Sequence, residues 1–215
     1  MNSNLTKKLL QMAAVGSEWV LYALIVLSIL SVAIVVQRSI WFWRHRCNMK
    51  LLVPTLLAKL EAGGFDAALT LLKDHPAAEA SITARCLEWR HRGPDAMSNV
   101  LEATVRERRP ELERGTLFLG TVGSNAPFIG LFGTVLGVVQ AFVKLGQSAG
   151  GSMDAVMSSI GEALIATAVG ILVAIPAVIA FNVLSRKATQ VEENAEVMVN
   201  LLLATGPGPQ PEPAE

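Results

Sequence analysis

Residues 155–184, AVMSSIGEALIATAVGILVAIPAVIAFNVL, carry one ionisable side chain in thirty positions. As a helix this stretch would be about 45 Å long, at ~1.5 Å per residue, against roughly 30 Å of bilayer hydrocarbon. It is therefore predicted to span a membrane. The ionisable residue, Glu162, would cost about 2.5–3.5 kcal/mol at the bilayer centre and less near an interface. Because something must offset that cost, we interpret Glu162 as a functional group.

The composition of the whole chain is typical of a membrane protein. Of its 215 residues, 52% are hydrophobic and only 17% are charged, against roughly 25% charged in an average soluble domain. The 18 basic and 18 acidic residues balance, and no basic run indicates nucleic-acid binding. Two cysteines and three histidines are scattered without metal-ligand spacing, and motifs of membrane-embedded hydrolases are missing. We therefore expect no enzyme activity, no metal and no cofactor.

Two further stretches, 19–40 and 116–143, are predicted to be membrane spans. Basic residues cluster after the first span, before the second and after the third. Under the positive-inside rule these clusters mark the cytoplasmic side. The three spans then run out to in, in to out and out to in, with the N-terminus outside and the C-terminus in the cytoplasm.

The remaining segments complete the predicted organisation. Residues 41–115 lack period-two alternation and read as a small cytoplasmic subdomain of short helices. Residues 1–18 form an outer N-terminal segment, 144–154 an outer loop and 185–205 a cytoplasmic helix. The tail 206–215, GPGPQPEPAE, is predicted to be disordered. The predicted fold is an all-α integral membrane protein with three transmembrane helices, long cytoplasmic helical extensions and a small cytoplasmic helical subdomain.

Small residues recur at helical spacing along the second and third spans. They allow close helix packing in lipid, and they can equally line a narrow pore that holds another helix. Helix packing is predicted for Pro127, Gly130, Gly133, Gly137, Gly170 and Pro176.

Two hydroxyls, Thr134 and Thr167, interrupt these small-residue stripes. A membrane threonine often bonds its own helix backbone, but two threonines on the small faces of adjacent spans, together with one acid, favour a functional role over packing alone. Glu162 precedes Thr167 by five residues, which is about 140° around a helix. The acid therefore lies either at the rim of the pore-facing arc or against a neighbouring helix.

The sequence NAPFIGLFGTVLGVVQAF (125–142), followed by GEALIATAVGILVAIPAVIAFN (161–182), resembles the paired signature of the MotA/TolQ/ExbB proton-channel family. The length and the single soluble insert are more similar to the ExbB branch, and next to TolQ, than to the larger MotA. Leu136 stands where many members have tryptophan, so the sequence also leaves open an assignment to the gliding-motor branch.

The resemblance implies a function and a set of partners. The chain would form a homopentamer in the bacterial inner membrane, with spans two and three around a pore. A single-span ExbD- or TolR-like partner would supply the essential aspartate inside that pore. Thr134 and Thr167 would face the pore, with Glu162 near its outer entrance. Proton flow would drive mechanical work on a TonB- or TolA-like transducer for outer-membrane transport. The alternatives are a Tol-Pal subunit, a gliding-motor stator and a non-conducting scaffold, and neither the cargo nor the choice of proton over sodium follows from the sequence.

Overall fold

The computed structural model describes residues 18–147 and 153–205. Within these ranges the chain forms helices and no strands. The helices are α1 Glu18–Arg44, α2 Met49–Asp74, α3 Ala78–Glu88, α4 Pro94–Leu112, α5 Thr116–Gln147 and α6 Met153–Thr205, with a 3-10 turn at Arg90–Arg92. Most of the predicted outer segment 1–18, the middle of the predicted loop 144–154 and the predicted tail 206–215 lie outside the described residues.

Three helical stretches are long and apolar enough to cross a membrane, as judged by length and composition. They lie within the ranges Glu18–Asp74, which covers α1 and α2, Thr116–Gly146 and Val156–Thr205. The prediction of an all-α chain with three candidate membrane helices is therefore confirmed. The third stretch belongs to one helix of 53 residues, α6, so the predicted third span and the predicted helix 185–205 are a single element.

The chain divides into two compact units. The first contains α1 as far as Gln37, all of α5, and α6 as far as Val183. The second contains residues 38–114 and the remainder of α6 from Leu184.

In the first unit, α5 and α6 pack antiparallel. Gly120 lies against Phe181 and Gly137 lies against Ala163, so the residue numbers rise along one helix as they fall along the other. This antiparallel packing fits two spans joined by a short loop.

The first helix also runs antiparallel to α5. Val20 contacts Gly133, and Ile34 contacts Gly115. Gly115 has a φ of 82°, a conformation that glycine adopts at little cost. One cluster of buried apolar residues in this unit consists of Val20, Leu24, Val122, Ala126, Leu136, Val173, Ala174 and Ala177.

The second unit has its own apolar core. Leu52 and Leu56 of α2 stand one turn apart and are both buried, as expected for one face of an amphipathic helix. The core is completed by side chains of α3, α4 and the end of α6, including Ala80, Cys86, Leu87, Met97, Met198, Val199 and Leu202. Within α2 the chain bends at Gly64, whose φ of 70° and ψ of −165° are not helical.

Candidate functional site

The contact between α5 and α6 is built on glycines. A Cβ atom at Gly130 would lie 2.7 Å from the carbonyl oxygen of Ala166 and 2.9 Å from the Cα of Thr167. A Cβ at Gly170 would lie 2.6 Å from the carbonyl oxygen of Ala126. Real Cβ contacts are longer, so only glycine fits at these two positions. This part of the small-residue stripe packs helix against helix within one chain.

Two further glycines of α5 make similar contacts. A Cβ at Gly133 would lie 2.8 Å from the Cβ of Ala166 and 3.2 Å from Val20 Cγ1 of α1. Gly137 stands directly against the Cβ of Ala163. Gly133 therefore lies where all three helices of the first unit approach one another.

The two prolines of the predicted packing set differ in their surroundings. Pro127 is half-buried inside α5, whereas Pro176 is exposed on α6. Both helices continue past their proline, although proline removes one backbone N–H from the ladder.

Among the described residues, Thr167 has the one buried side-chain hydroxyl without a hydrogen-bond partner. Thr134 donates a 2.6 Å hydrogen bond to the carbonyl of Leu131. Other threonines donate to the carbonyl four residues earlier, namely Thr55, Thr70, Thr83, Thr121 and Thr189. The Oγ1 atom of Thr167 is buried, and no atom of the described residues serves as its hydrogen-bond partner. A buried hydroxyl without a partner is costly, which makes Thr167 the polar group of this interface that lacks a structural explanation.

Polar side chains also lie close together near the C-terminal end of α5 and the N-terminal end of α6. Glu162 is exposed, and its Oε1 accepts a 3.4 Å hydrogen bond from Ser158 Oγ. Lys144 Nζ donates a 2.9 Å hydrogen bond to Ser159 Oγ, which is buried. Sequence reasoning missed the contact between Lys144 and Ser159, although Lys144 is the first charge after the second span.

A second feature that sequence reasoning missed is a polar strip on the surface of α5. Ser124 and Asn125 are exposed. Ser124 Oγ donates to the carbonyl of Gly120 at 2.8 Å, and Asn125 Nδ2 donates to the carbonyl of Thr121 at 2.8 Å. Polar side chains in membrane helices usually face protein or a water-filled cavity. The amide of Asn125, at the start of the quoted signature, was the signal available in the sequence.

The first residue of the basic cluster, at the C-terminal end of the first span, is buried. Arg38 is 5% exposed, and its Nη2 donates a 2.5 Å hydrogen bond to the carbonyl of Leu112, the last residue of α4. Its guanidinium carbon lies 4.6 Å from the ring centre of Trp41 and 5.1 Å from that of Phe42. The sequence signal was the spacing, because residues three and four positions apart share a helix face.

Comparison with known proteins identifies the class to which this arrangement belongs. A model of the MotA/TolQ/ExbB proton channel family matches residues 74–197, more than half of the chain. The chain belongs to the MotA/TolQ/ExbB proton channel family.

Relatives on two branches of this family are similar to the chain. It is 47% identical to the biopolymer transport protein ExbB of Xanthomonas campestris pv. campestris over 90 residues. This aligned region covers 42% of this chain and 36% of the relative. It is 37% identical over 137 residues to the biopolymer transport protein ExbB of Neisseria gonorrhoeae, and this alignment covers 62% of this chain and 59% of the relative. It is 41% identical over 108 residues to the Tol-Pal system protein TolQ of Haemophilus influenzae, covering 47% of each. The matches therefore span between about a third and three fifths of these relatives' lengths.

Proposed function

We propose that this protein is a stator subunit of an inner-membrane motor that couples the proton-motive force to mechanical work. The transducer would be a TonB-like protein that serves outer-membrane transport. Two observations support the proposal, namely membership of a proton channel family and the similarity to relatives named as biopolymer transport proteins. In this proposal the chain performs no covalent chemistry, so it is not an enzyme.

The proposed topology follows the distribution of basic residues. The N-terminus is periplasmic and the C-terminus is cytoplasmic. The segments 41–115 and 185–205 are then cytoplasmic, and the loop 144–154 is periplasmic. The grouping of residues 38–114 with the end of α6 in one compact unit supports this assignment, because both segments have to lie on the same side of the membrane.

The proposed assembly is a homopentamer with α5 and α6 of each subunit around a central pore. A single-span ExbD- or TolR-like partner would occupy the pore and supply a membrane aspartate. The spans 19–40, 116–143 and 155–184 contain no aspartate of their own. The polar strip of Ser124 and Asn125 supports an oligomer. Polar side chains within a membrane span usually face another protein surface or a water-filled cavity rather than lipid, and an assembly of subunits would provide either.

The observation that carries the ion-pathway proposal is the buried hydroxyl of Thr167, to which the described part of the chain offers no hydrogen-bond partner. Thr167 is half-buried while its Oγ1 is fully buried. One step between staggered rotamers would turn that hydroxyl away from the interface. In that position it would donate a hydrogen bond to the ionised carboxylate of the partner, with Thr134 as the corresponding group on α5.

The driving force for this cycle has a known scale. One elementary charge crossing the membrane is worth roughly 2.3 kcal/mol per 100 mV. Protonation of the partner's carboxylate removes the charge that favours contact with the threonine hydroxyls. The inner helix would then be free to move against the small-residue wall, and Glu162 near the outer entrance would deliver the next proton.

The role of Glu162 is tested by replacing it in cells that depend on energised outer-membrane transport. Glu162→Gln and Glu162→Ala should lower the transport rate by roughly 10-fold or more, as for an acid in a proton path. Glu193→Gln, an exposed acid of α6 in the second unit, is the matched control. A wild-type transport rate in both Glu162 variants would remove this residue from the mechanism.

A Tol-Pal subunit is the second candidate, favoured by the 41% identity to TolQ. The two functions differ in the proteins that bind the chain. Purification of the full chain from its own cells should recover a single-span protein with a membrane aspartate in either case. Co-purification of a TolA-like rather than a TonB-like transducer would assign the chain to the Tol-Pal branch. Recovery of no single-span partner would favour the non-conducting scaffold.

A further inference from the structure

The second unit contains an open cleft of about 710 Å³ between the end of α1 and the portion of α6 that follows Leu184. Its walls carry both positive and negative side chains. The charged and aromatic side chains that line it are Phe42, Trp43, His45, Arg46, Glu79 and Lys187.

Glu79 lines this cleft, and one of its carboxyl oxygens has no hydrogen-bond partner among the described residues. Glu79 is 4% exposed, and its Oε1 accepts a 3.3 Å hydrogen bond from Asn194 Nδ2. Its Oε2 is buried, and the described part of the chain provides no hydrogen bond to it. A buried carboxyl oxygen without a donor is unfavourable, so this atom indicates that a donor is missing.

The two cations of the cleft have no acidic partner within the described residues. Neither Arg46 nor Lys187 forms an ion pair with any acid in residues 18–147 and 153–205. The Nζ atom of Lys187 lies 5.8 Å from the ring centre of Phe42, a cation–π distance. The cleft therefore offers two positive groups for an anion and one acceptor for a donor.

We propose that this cleft binds the headgroup of phosphatidylethanolamine, a lipid that joins a phosphate to a primary ammonium. The phosphate would lie against Arg46 and Lys187, and the ammonium would donate to Oε2 of Glu79. A ligand with both charges matches the whole lining, whereas a simple anion would leave the carboxyl oxygen unpaired. Burial raises the pKa of Glu79, and a nearby ammonium would counter that effect by favouring the carboxylate.

The choice of a lipid over a soluble phosphate ester follows from the position of the cleft in the sequence. Phe42 and Trp43 belong to α1, the helix that carries the first span, and lie within two turns of its apolar stretch. Trp43 is 75% exposed, and exposed tryptophans are enriched where membrane and water meet. The position beside the inner leaflet rests on the proposed topology.

The test measures lipid binding to the purified full chain by native mass spectrometry, with no partner protein present. Phosphatidylethanolamine, phosphatidylcholine and phosphatidylglycerol are supplied at equal amounts in mixed micelles. Phosphatidylcholine is the sharp comparison, because its quaternary ammonium has no N–H to donate. Phosphatidylethanolamine should bind about 10-fold more tightly than phosphatidylcholine, as expected for a charge-assisted hydrogen bond. Equal binding of the two lipids in the wild-type chain would overturn the proposal without recourse to a variant.

Variants then assign the contacts. Glu79→Gln should reduce the preference for phosphatidylethanolamine over phosphatidylcholine to about 2-fold or less, because the ion pair is lost. The double change Arg46→Gln and Lys187→Gln should weaken all three lipids, while Lys59→Gln, an exposed lysine of α2, should weaken none. An unchanged preference in Glu79→Gln would overturn the assigned ammonium contact.

Two other results would replace phosphatidylethanolamine as the ligand. Tighter binding of phosphatidylglycerol would identify an anionic-lipid site. Equal affinity for soluble glycerophosphoethanolamine would identify a soluble metabolite. Since the measurement requires no ion flow, a chain that fails to conduct protons could still show the lipid preference, so the two proposals fail separately.

Discussion

Arg38 joins two distant parts of the second unit through a single side chain. The last carbonyls of a helix have no partner within that helix, and the guanidinium of Arg38 satisfies one of them at Leu112. Its Nε atom is buried without a partner among the described residues. The rings of Trp41 and Phe42 provide cation–π contacts with the same group, so aromatic faces replace part of its hydration.

We predict that Arg38→Met lowers the free energy of unfolding by about 1–3 kcal/mol, because it leaves the Leu112 carbonyl buried without its donor. For a chain of this size, each kcal/mol shifts the unfolding midpoint by roughly 2–4 °C. The measurement is thermal unfolding of the purified protein in detergent. Arg44→Met, at an exposed basic position of the same helix, is the control, and equal shifts in the two variants would contradict the capping role.

Glu79 gives a prediction about pH. Burial raises its pKa above the ordinary value of 4.5, so the folded chain holds this proton more tightly than the unfolded chain does. The stability that this tighter proton binding contributes is fully present at a pH below the ordinary pKa of 4.5. It is lost as the pH rises through the raised pKa that Glu79 has in the folded chain. Glu79→Gln should therefore gain thermal stability relative to the wild type as the pH increases, when both are measured in detergent without phosphatidylethanolamine.

The difference between the two proteins isolates Glu79, since His45, His75 and Lys187 are present in both. Glu193→Gln provides an exposed acid for comparison. A difference between Glu79→Gln and the wild type that stays constant from about pH 4 to about pH 8 would show that burial does not alter the titration of this carboxyl.

At the scale of the elements, the glycines of α5 determine how closely two helices approach. Gly130 and Gly170 face one another, with 3.2 Å between the Cα of Gly170 and an ideal Cβ at Gly130. Lipid offers no hydrophobic force to hold helices together, so dispersion contacts at this short separation carry much of the association.

Replacing one of these glycines tests the close contact. Gly130→Ala should lower the unfolding midpoint by several degrees, because the added methyl would overlap the carbonyl of Ala166 and the helices would separate. Gly146→Ala is the matched control on α5, since no atom of residues 18–147 and 153–205 lies within 4 Å of a Cβ at that position. There alanine should be neutral or stabilise by up to about 1 kcal/mol, through its higher helix propensity. Equal destabilisation by both changes would show that helix propensity, not packing, decides their effect.

The helices themselves were largely predictable, and their contacts were not. Long uncharged runs fix the candidate membrane helices because the bilayer sets a length and a polarity. The family signature at 125–142 and 161–182 identified the class, as the match over residues 74–197 confirms. The burial of Arg38 and Glu79 was missed, because pairing across 74 and 115 positions of sequence is a tertiary property. Charge alone therefore marked Arg38 as one more residue of a basic cluster.

At the scale of the whole molecule, the first unit supplies the proposed conducting elements. Three helices alternate in direction there, and the small faces of α5 and α6 are occupied by one another at Gly130, Gly137 and Gly170. The surface left for a central partner helix is therefore narrower than the small-residue stripes alone would predict. Thr134 and Thr167, both half-buried, lie at the limit of that occupied face. The pore-facing roles of Thr134, Thr167 and Glu162 remain predictions.

The most direct test of the proposed channel is proton flux into liposomes that contain the chain together with its single-span partner. A potassium diffusion potential supplies the driving force, and an internal pH-sensitive dye reports proton entry. Wild-type complexes should acidify the lumen in proportion to the potential. Thr167→Val, which keeps the shape and removes the hydroxyl, should reduce the rate by roughly 10-fold or more. Thr189→Val, at an exposed threonine of α6 outside the span, should leave the rate unchanged. A wild-type flux no greater than that of protein-free liposomes, or an undiminished flux in Thr167→Val, would contradict the proposed proton pathway.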